Sequence, residues 1–231
     1  MRKTKFAKGE FYHIYNRGVD KRVTFNGQRD YERFLFLLFA CNDSRPLLNS
    51  QFFYRGLASI EEFEFTKGKR NKLVDIICFC LMPNHFHLLL KQKLANGISI
   101  FMQKITTGYS MYFNKRNERS GSLFQGPYKA IHVNEDRYLK HLTCYLHLNP
   151  AELKEPKWKE KDIPNIKSML EFIKNYQWSS YSDYLGINRF RKILSAELIP
   201  GLFGKASKYE EFISQSLKGS LGLIDKYTIE A

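Results

Sequence analysis

The chain of 231 residues is predicted to adopt an α+β fold, a mainly antiparallel sheet with helices packed on its faces, followed by a mostly helical C-terminal extension. Two observations lead to this class. Over residues 1–150, segments with strand alternation and segments with helical spacing follow each other in the order strand, helix, strand, strand, helix, strand, helix. Beyond Pro150 the chain becomes a charged linker, at about 154–161, and then resumes helical spacing. We therefore expect a domain at 1–150 and a linker with an extension at 151–231.

The first predicted elements are a strand and a helix. Residues 10–17 alternate well enough for a strand, which Gly18 ends. A helix is predicted at about 31–41 with Asp30 as its N-cap, because apolar residues recur there on one face. Residues 42–72 are polar and irregular, which indicates a loop or insertion with space for a short helix.

The centre of the sheet is predicted at two adjacent apolar runs. Residues 73–82 are almost continuously apolar, as in a strand that is buried on both faces. Pro83 and Asn84 then turn the chain into a second strand at 85–92.

The remaining elements follow in the same way. Helical spacing covers 97–116, and a strand is predicted at 128–133. Asn134 is expected to cap a helix that ends at about Leu148. In the extension, we expect a helix at 166–175 and one or two more in 196–231.

The composition argues against a membrane-spanning or disulfide-stabilised protein. No stretch approaches the ~18 apolar residues of a membrane span, and no apolar signal region follows the basic N-terminus. Hydrophobic residues make up 43% of the chain, enough for a substantial core. Reduced core cysteines are expected, because no Cys-x-x-Cys occurs and Cys78 and Cys80 are too close to bridge. We expect a soluble intracellular protein without a membrane partner.

The net charge of +14 is concentrated in the predicted first domain. Residues 1–150 carry 24 Lys and Arg against 12 Asp and Glu, whereas residues 151–231 carry 13 against 11. An anionic polymer is the natural partner of such a surface, and nucleic acid is the leading case. A basic surface that serves only solubility is the alternative.

His85 and His87 form the most informative pattern of the sequence. Because side chains alternate along a strand, both imidazoles point to the same face, with about 7 Å between their Cα atoms. Two imidazole nitrogens at this spacing can converge on one divalent cation, but two ligands leave the cation under-coordinated. The pattern therefore requires a third ligand elsewhere, and two ordinary strand histidines are the alternative.

The helix that ends at Leu148 offers a third ligand and a nucleophile. Tyr145 and Asn149 are four residues apart and so share one helical face. Asn149 can offer its carbonyl oxygen to a cation, and the hydroxyl of Tyr145 can attack a phosphodiester to form a phosphotyrosine ester. A nearby metal would assist, since the free tyrosine pKa is about 10. Core packing of Tyr145 and a simple helix end at Asn149 are the alternatives.

Cations alternate with aromatic residues in the second half of the predicted domain. Cations for phosphates beside aromatics for unstacked bases are typical of a groove for single-stranded nucleic acid. The alternative is that the aromatics belong to the core and the cations to a solvated rim. The cations are Lys104, Lys115, Arg116, Arg119 and Lys129.

Five short stretches resemble, in the same order, the motifs of the single-tyrosine HUH endonucleases, named for a His-hydrophobic-His motif. Within that group the chain is most similar to the REP-associated tyrosine transposases and their insertion-sequence relatives. The resemblance covers most of residues 11–186. The stretches are Tyr12–Gly18, Met82–Leu90, Ser120–Gly126, Tyr145–Pro150 and Trp178–Tyr181.

This resemblance implies a transposase with a ferredoxin-like HUH endonuclease sandwich, a metal-dependent nuclease and strand transferase acting on single-stranded DNA beside hairpins. His85 and His87 match the paired ligands of the metal, Mg²⁺ or Mn²⁺. Tyr145 matches the nucleophile that becomes linked to a DNA 5′-phosphate, and Asn149 matches a further ligand. Arg17, in the first motif, joins the expected DNA-binding residues. Such a protein is expected in the cytoplasm, associated with the nucleoid.

The sequence departs from the family pattern at Pro127, where relatives often carry arginine, so this position is not assigned to DNA binding. The oligomeric state is left open between monomer and homodimer, because relatives complete their sites within one chain or exchange the tyrosine helix. Two other functions are also open. One is a non-catalytic DNA-hairpin-binding regulator that retains the fold, and the other is a metal hydrolase that uses water.

Overall fold

The predicted α+β fold is confirmed by the structure, a computed structural model that describes residues 4–46, 60–61, 70–159, 163–198, 201 and 203–218. The strands are β1 (Phe11–Arg17), β2 (Val74–Met82), β3 (His85–Gln92) and β4 (Lys129–Val133). Within the described residues, the helices of at least four residues are α1 (Gln28–Ala40), α2 (Gly97–Arg116), α3 (Asp136–Leu148), α4 (Ala151–Lys154), α5 (Ile166–Asn175), α6 (Tyr181–Tyr184) and α7 (Ala206–Lys218).

The four strands form one antiparallel sheet in the order β2-β3-β1-β4. The two-residue turn at Pro83 and Asn84 joins β2 to β3 as a hairpin, and every residue of β2 is buried. A short piece of the C-terminal extension continues the sheet beyond β2. There the amide of Leu81 donates to the carbonyl of Trp178, and the amide of Ser180 donates to the carbonyl of Phe79.

The two faces of the sheet carry separate cores, because alternate residues of each strand point to opposite sides. On one face, α1 and α2 pack over Phe86, Leu88 and Leu90 of β3. On the other face, α3 packs over Leu89 and Cys78, and side chains from the extension complete this second core. His85 and His87 of β3 point to the same face as Leu89, so both histidines lie beneath α3.

A buried hydrogen-bond network ties the extension to α3. The Nδ1 of His147 lies 2.5 Å from the hydroxyl of Tyr209 on α7, and its Nε2 lies 2.8 Å from the hydroxyl of Ser180. Burial lowers the pKa of His147 to about 3, so the imidazole is neutral. The division into a domain at 1–150 and an extension at 151–231 stays a prediction.

Two of the predicted helix caps are wrong. Helix α1 begins at Gln28 after Gly27, and Asp30 lies in its first turn with its carboxylate buried against Arg116. Helix α3 follows Glu135, with no side-chain cap, so Asn134 does not cap it. Asp and Asn are favoured at N-caps, but neither residue takes that role here. The ion pair with Arg116 holds Asp30 inside the helix, and α3 starts one residue too late for Asn134 to cap it.

Several other expectations have a clear outcome. The helices predicted at 97–116 and 166–175 are confirmed as α2 and α5. All four cysteines are buried and none forms a disulfide. Among the helices that the structure describes, none is long and apolar enough to cross a bilayer. Most of the predicted insertion at 42–72 and the end of the predicted helical tail lie outside the described residues.

Candidate active site

The register of the sheet gathers four of the predicted site residues on the α3 face. In the β1–β3 pair, Arg17 lies opposite His85 and Tyr15 lies opposite His87. In the β1–β4 pair, Tyr15 also lies opposite Lys129. Paired residues of neighbouring strands project to the same side. Two cations and two histidines therefore share one end of this face.

His87 is oriented by a second histidine that the sequence did not assign as a ligand. Its Nδ1 lies 2.9 Å from the Nε2 of His13 on β1, and both rings are buried. Within the described part of the chain, the Nε2 of His87 has no hydrogen-bond partner. Burial lowers the pKa of His87 well below its usual value, and the charges of His85 and His13 lower it further. Burial alone lowers the pKa of His13 to about 3.

His85 lies at the edge of the same cluster. Its Nδ1 is 2.6 Å from the amide oxygen of Asn84, the turn residue that precedes it. The His85 and His87 rings are 5.0 Å apart between centroids and almost perpendicular. Because Nδ1 faces Asn84, the Nε2 atom of His85 points away from the turn.

Helix α3 places Tyr145 and Asn149 above the histidines. The ring of Tyr145 is 6.1 Å from the ring of His87, and Tyr145 is only 2% exposed. The Nδ2 of Asn149 donates to the carbonyl oxygen of Tyr145 at 3.0 Å, which directs its Oδ1 away from that carbonyl. Oδ1 is buried and has no hydrogen-bond partner among the described residues. Tyr145 and His87 are therefore in contact across this face of the sheet.

Lys159, which sequence reasoning missed, also reaches the site. Its Nζ donates to the hydroxyl oxygen of Tyr145 at 3.3 Å and lies 4.9 Å from the centre of the Tyr145 ring. The residue belongs to the charged run that the sequence indicates as a linker. No local pattern identifies it, because its position depends on how the chain returns after α4.

The other predicted DNA-binding residues are not brought to this face. Lys104, on α2, donates to the backbone carbonyls of Asp43 and Arg45, both at 2.6 Å. Arg116 forms an ion pair with Asp30 at 2.6 Å. Helix α2 packs on the opposite face of the sheet from α3.

The last two predicted cations lie at the end of α2 and just after it. Lys115 is exposed in the last turn of α2. Arg119 donates to the side chain of Asn114 at 2.5 Å and to the carbonyl oxygen of Ser122 at 3.1 Å. These contacts place both cations on the α2 side of the molecule.

The side chains at this site can coordinate a divalent cation only if the amide oxygen of Asn149 is one of the ligands. Among the described residues, no group of three or more His, Cys, Asp or Glu side chains is arranged to hold a metal ion. Two buried polar atoms without hydrogen-bond partners among the described residues are Nε2 of His87, on β3, and Oδ1 of Asn149, at the C-terminal end of α3 above it. Buried polar atoms are normally satisfied, so two such atoms on facing elements favour a ligand. Neutral imidazole and amide oxygen are ligands that divalent metals accept.

The arrangement combines a tyrosine hydroxyl, neutral nitrogen and oxygen atoms of the kind that bind metals, and positive charge. Tyr145 supplies a hydroxyl, His87 and Asn149 supply metal-type donors, and Lys159 supplies a cation beside the hydroxyl. Arg17 and Lys129 lie on the same face of the sheet. Such a site suits a reaction at an anionic phosphodiester, in which negative charge grows on the attacked group.

Two comparisons with known proteins give matches. Residues 37–149, just under half of the chain, match the family model described as "Transposase IS200 like". The fold is similar to a solved structure titled "Structure of the REP associates tyrosine transposase bound to a REP hairpin". The TM-score is 0.51 at 9% identity, and the alignment covers 81% of this chain and 86% of that chain. No curated protein matches this chain.

Proposed function

We infer the function of this chain from a confirmed premise, its resemblance to the IS200-like transposases in sequence and to a REP-associated tyrosine transposase in fold. That resemblance supports a transposase role on DNA. We propose that the chain is a metal-dependent single-stranded DNA endonuclease and strand transferase with Tyr145 as its nucleophile.

One observation carries this proposal. Tyr145, on α3, lies 6.1 Å from His87 between ring centroids, and the unsatisfied Oδ1 of Asn149 is one helical turn further on. The elements that hold them, α3 and β3, pack together in the second core. A tyrosine that served only core packing would not need two buried polar atoms without partners, Oδ1 of Asn149 and Nε2 of His87, near it.

The proposed reaction is a transesterification. The hydroxyl oxygen of Tyr145 attacks phosphorus, a bond from that oxygen to phosphorus forms, and the bond from phosphorus to the 3′ oxygen breaks. The products are a 5′-phosphotyrosine and a free 3′-OH. Because one phosphoester replaces another, a 3′-OH can later reverse the step and join strands without an external energy source.

His85, His87 and Asn149 would hold the divalent metal, Mg²⁺ or Mn²⁺. When bound, the metal would polarise a non-bridging oxygen of the phosphate. The chain's own residues orient the ligands: His13 fixes the ring of His87, and Asn84 fixes the ring of His85.

The proposed substrate is single-stranded DNA beside a hairpin. The structural neighbour is described as bound to a REP hairpin, and the charge of this chain suits a DNA partner. Arg17 and Lys129 lie on the site face, whereas Lys115 and Arg119 lie on the α2 side of the molecule. A DNA substrate also supports a cytoplasmic location at the nucleoid. We leave monomer and homodimer as alternatives.

The test is adduct formation on oligonucleotides. End-labelled single strands from the DNA that flanks the gene are incubated with the protein and Mn²⁺ or a chelator, and run on a denaturing gel. We expect a chelator-sensitive protein–DNA band that is absent in Tyr145→Phe. Cleavage without that band would favour the water-using hydrolase, and hairpin retardation on a native gel without cleavage would favour the binding-only regulator.

A further inference from the structure

We propose that Lys159 is a catalytic residue, whose ammonium stabilises the negative charge on the oxygen of Tyr145 during attack. This inference rests on the proposed function. Lys159 lies ten residues beyond the end of the family match at residue 149, in a segment to which the resemblance assigns no role.

The contact itself is the first argument. Nζ of Lys159 donates to the Tyr145 hydroxyl at 3.3 Å. Tyr145 is 2% exposed, so little water reaches its oxygen. In a site with low water content, a fixed positive charge at this distance stabilises an anion far more than it would in bulk water.

The position of Lys159 is fixed by its neighbour, which is the second argument. Trp158 is buried in the same core as Tyr145, and its amide donates to the carbonyl of Glu155 at 3.0 Å. The ammonium also lies 5.8 Å from the centre of the Trp158 ring. An anchored tryptophan directly before the lysine limits the freedom of this segment, so the charge is held near Tyr145 before DNA binds.

A purely structural lysine is the competing explanation. A lysine can cover an aromatic ring with its methylene stem and contribute only packing or a cation–π contact. That role requires the stem and tolerates an uncharged end. A catalytic role requires the charge, and the two explanations therefore separate when the charge alone is changed.

The ammonium keeps its proton throughout the proposed step. The proton of the Tyr145 hydroxyl passes to a single water molecule that enters the site with the DNA strand, as the bond from the tyrosine oxygen to phosphorus forms. The 3′ oxygen takes a proton from water as its bond to phosphorus breaks. Lys159 compensates charge on the attacking oxygen and exchanges no atoms with the substrate.

The experiment measures single-turnover adduct formation and DNA affinity on full-length protein. Lys159→Met keeps the stem and removes the charge, Lys159→Arg keeps the charge, and Lys157→Met is the matched control at an exposed lysine two residues away. We expect Lys159→Met to form the adduct about 100-fold more slowly, as for loss of one preorganised charge stabiliser, and Lys159→Arg to recover most of the rate. Both methionine variants should lose DNA affinity by the same small factor, since each removes one cation.

A second substrate identifies the oxygen on which Lys159 acts. In a 3′-bridging phosphorothiolate the leaving atom is sulfur, which needs little help to depart. The Lys159→Met defect should persist on this substrate, because attack by Tyr145 is still required. If the defect disappears there, Lys159 assists the leaving group and the assignment is overturned.

The outcomes separate this inference from the proposed function. Adduct formation by Lys159→Met at the rate of Lys157→Met, with wild type active, overturns the inference and leaves the function intact. No adduct with wild type on any oligonucleotide overturns the proposed function itself. Thermal unfolding of Lys159→Met at the temperature of wild type shows that a slow rate does not come from loss of the fold.

Discussion

The network at His147 provides a direct test of how the extension holds α3, the helix that carries Tyr145. In one tautomer of His147, Tyr209 donates to Nδ1, Nε2 donates to Ser180, and Ser180 donates to the carbonyl of Phe79. In the other tautomer, Nδ1 donates to Tyr209, Tyr209 donates to the carbonyl of Thr143, and Ser180 donates to Nε2. In His147→Phe, Ser180 keeps its contacts with Phe79, whereas Tyr209 keeps only a 3.5 Å contact with the carbonyl of Thr143. One buried hydroxyl is then left nearly unsatisfied.

The magnitude follows from these contacts. A buried group that loses its partner costs about 1–3 kcal/mol, and each lost hydrogen bond contributes about 1 kcal/mol. We therefore expect His147→Phe to lower the free energy of unfolding by about 2–4 kcal/mol. Tyr209→Phe should cost about 1–3 kcal/mol, because it leaves Nδ1 of His147 without its partner.

A double-mutant cycle by urea unfolding measures the coupling. In the double variant neither partner is left unsatisfied, so its loss should fall short of the sum of the single losses by about 1–2 kcal/mol. The phenyl ring at position 147 is present in both the single variant His147→Phe and the double variant, so its steric effect cancels from the coupling energy. Single losses that add to within about 0.5 kcal/mol would refute the network as described.

Three further predictions concern the site and its surroundings. His13→Leu should weaken Mn²⁺ binding about 10–100-fold by isothermal titration calorimetry, because His13 orients His87; unchanged affinity would exclude that role. Arg116→Met should lower the free energy of unfolding by about 1–2 kcal/mol, a value reduced for the partial exposure of Arg116. Combination with Asp30→Asn should recover part of this loss, and a neutral single variant would contradict the stabilising role of the ion pair. Fluorescence anisotropy should show that Lys129→Gln reduces the salt dependence of single-stranded DNA binding by about one counterion. Lys167→Gln, at an exposed position on α5, should leave the salt dependence unchanged. Equal slopes of log affinity against log salt for the two variants would contradict a DNA contact at Lys129.

The secondary structure and part of the site can be predicted from the sequence, because both depend on the local spacing of residues along a strand or a helix. Alternation on β3 places His85 and His87 on one face, and spacing of four on α3 aligns Tyr145 with Asn149. These relations hold within a single element. They require no knowledge of how distant segments pack.

The rest depends on tertiary contacts that local patterns do not encode. The contact between His13 and His87 depends on the register of β1 against β3, which pairs His13 with Leu89 and so places it diagonally beside His87. Lys159 reaches Tyr145 only because the chain folds back after α4. Arg116 lies in a basic and aromatic run that is typical of a nucleic-acid groove, but its guanidinium pairs with the buried Asp30. Sequence spacing alone does not distinguish such a partner from a free surface cation.

The central claim is that Tyr145 becomes covalently linked to DNA, and mass spectrometry of the adduct tests it most directly. Protein incubated with Mn²⁺ and a cleavable oligonucleotide is digested with protease and nuclease, and the peptide that carries the residual nucleotide is sequenced. We expect a 5′-phosphonucleotide on the peptide containing Tyr145, attached to that side chain. A nucleotide on any other residue, or cleaved DNA with no modified peptide, would contradict the account.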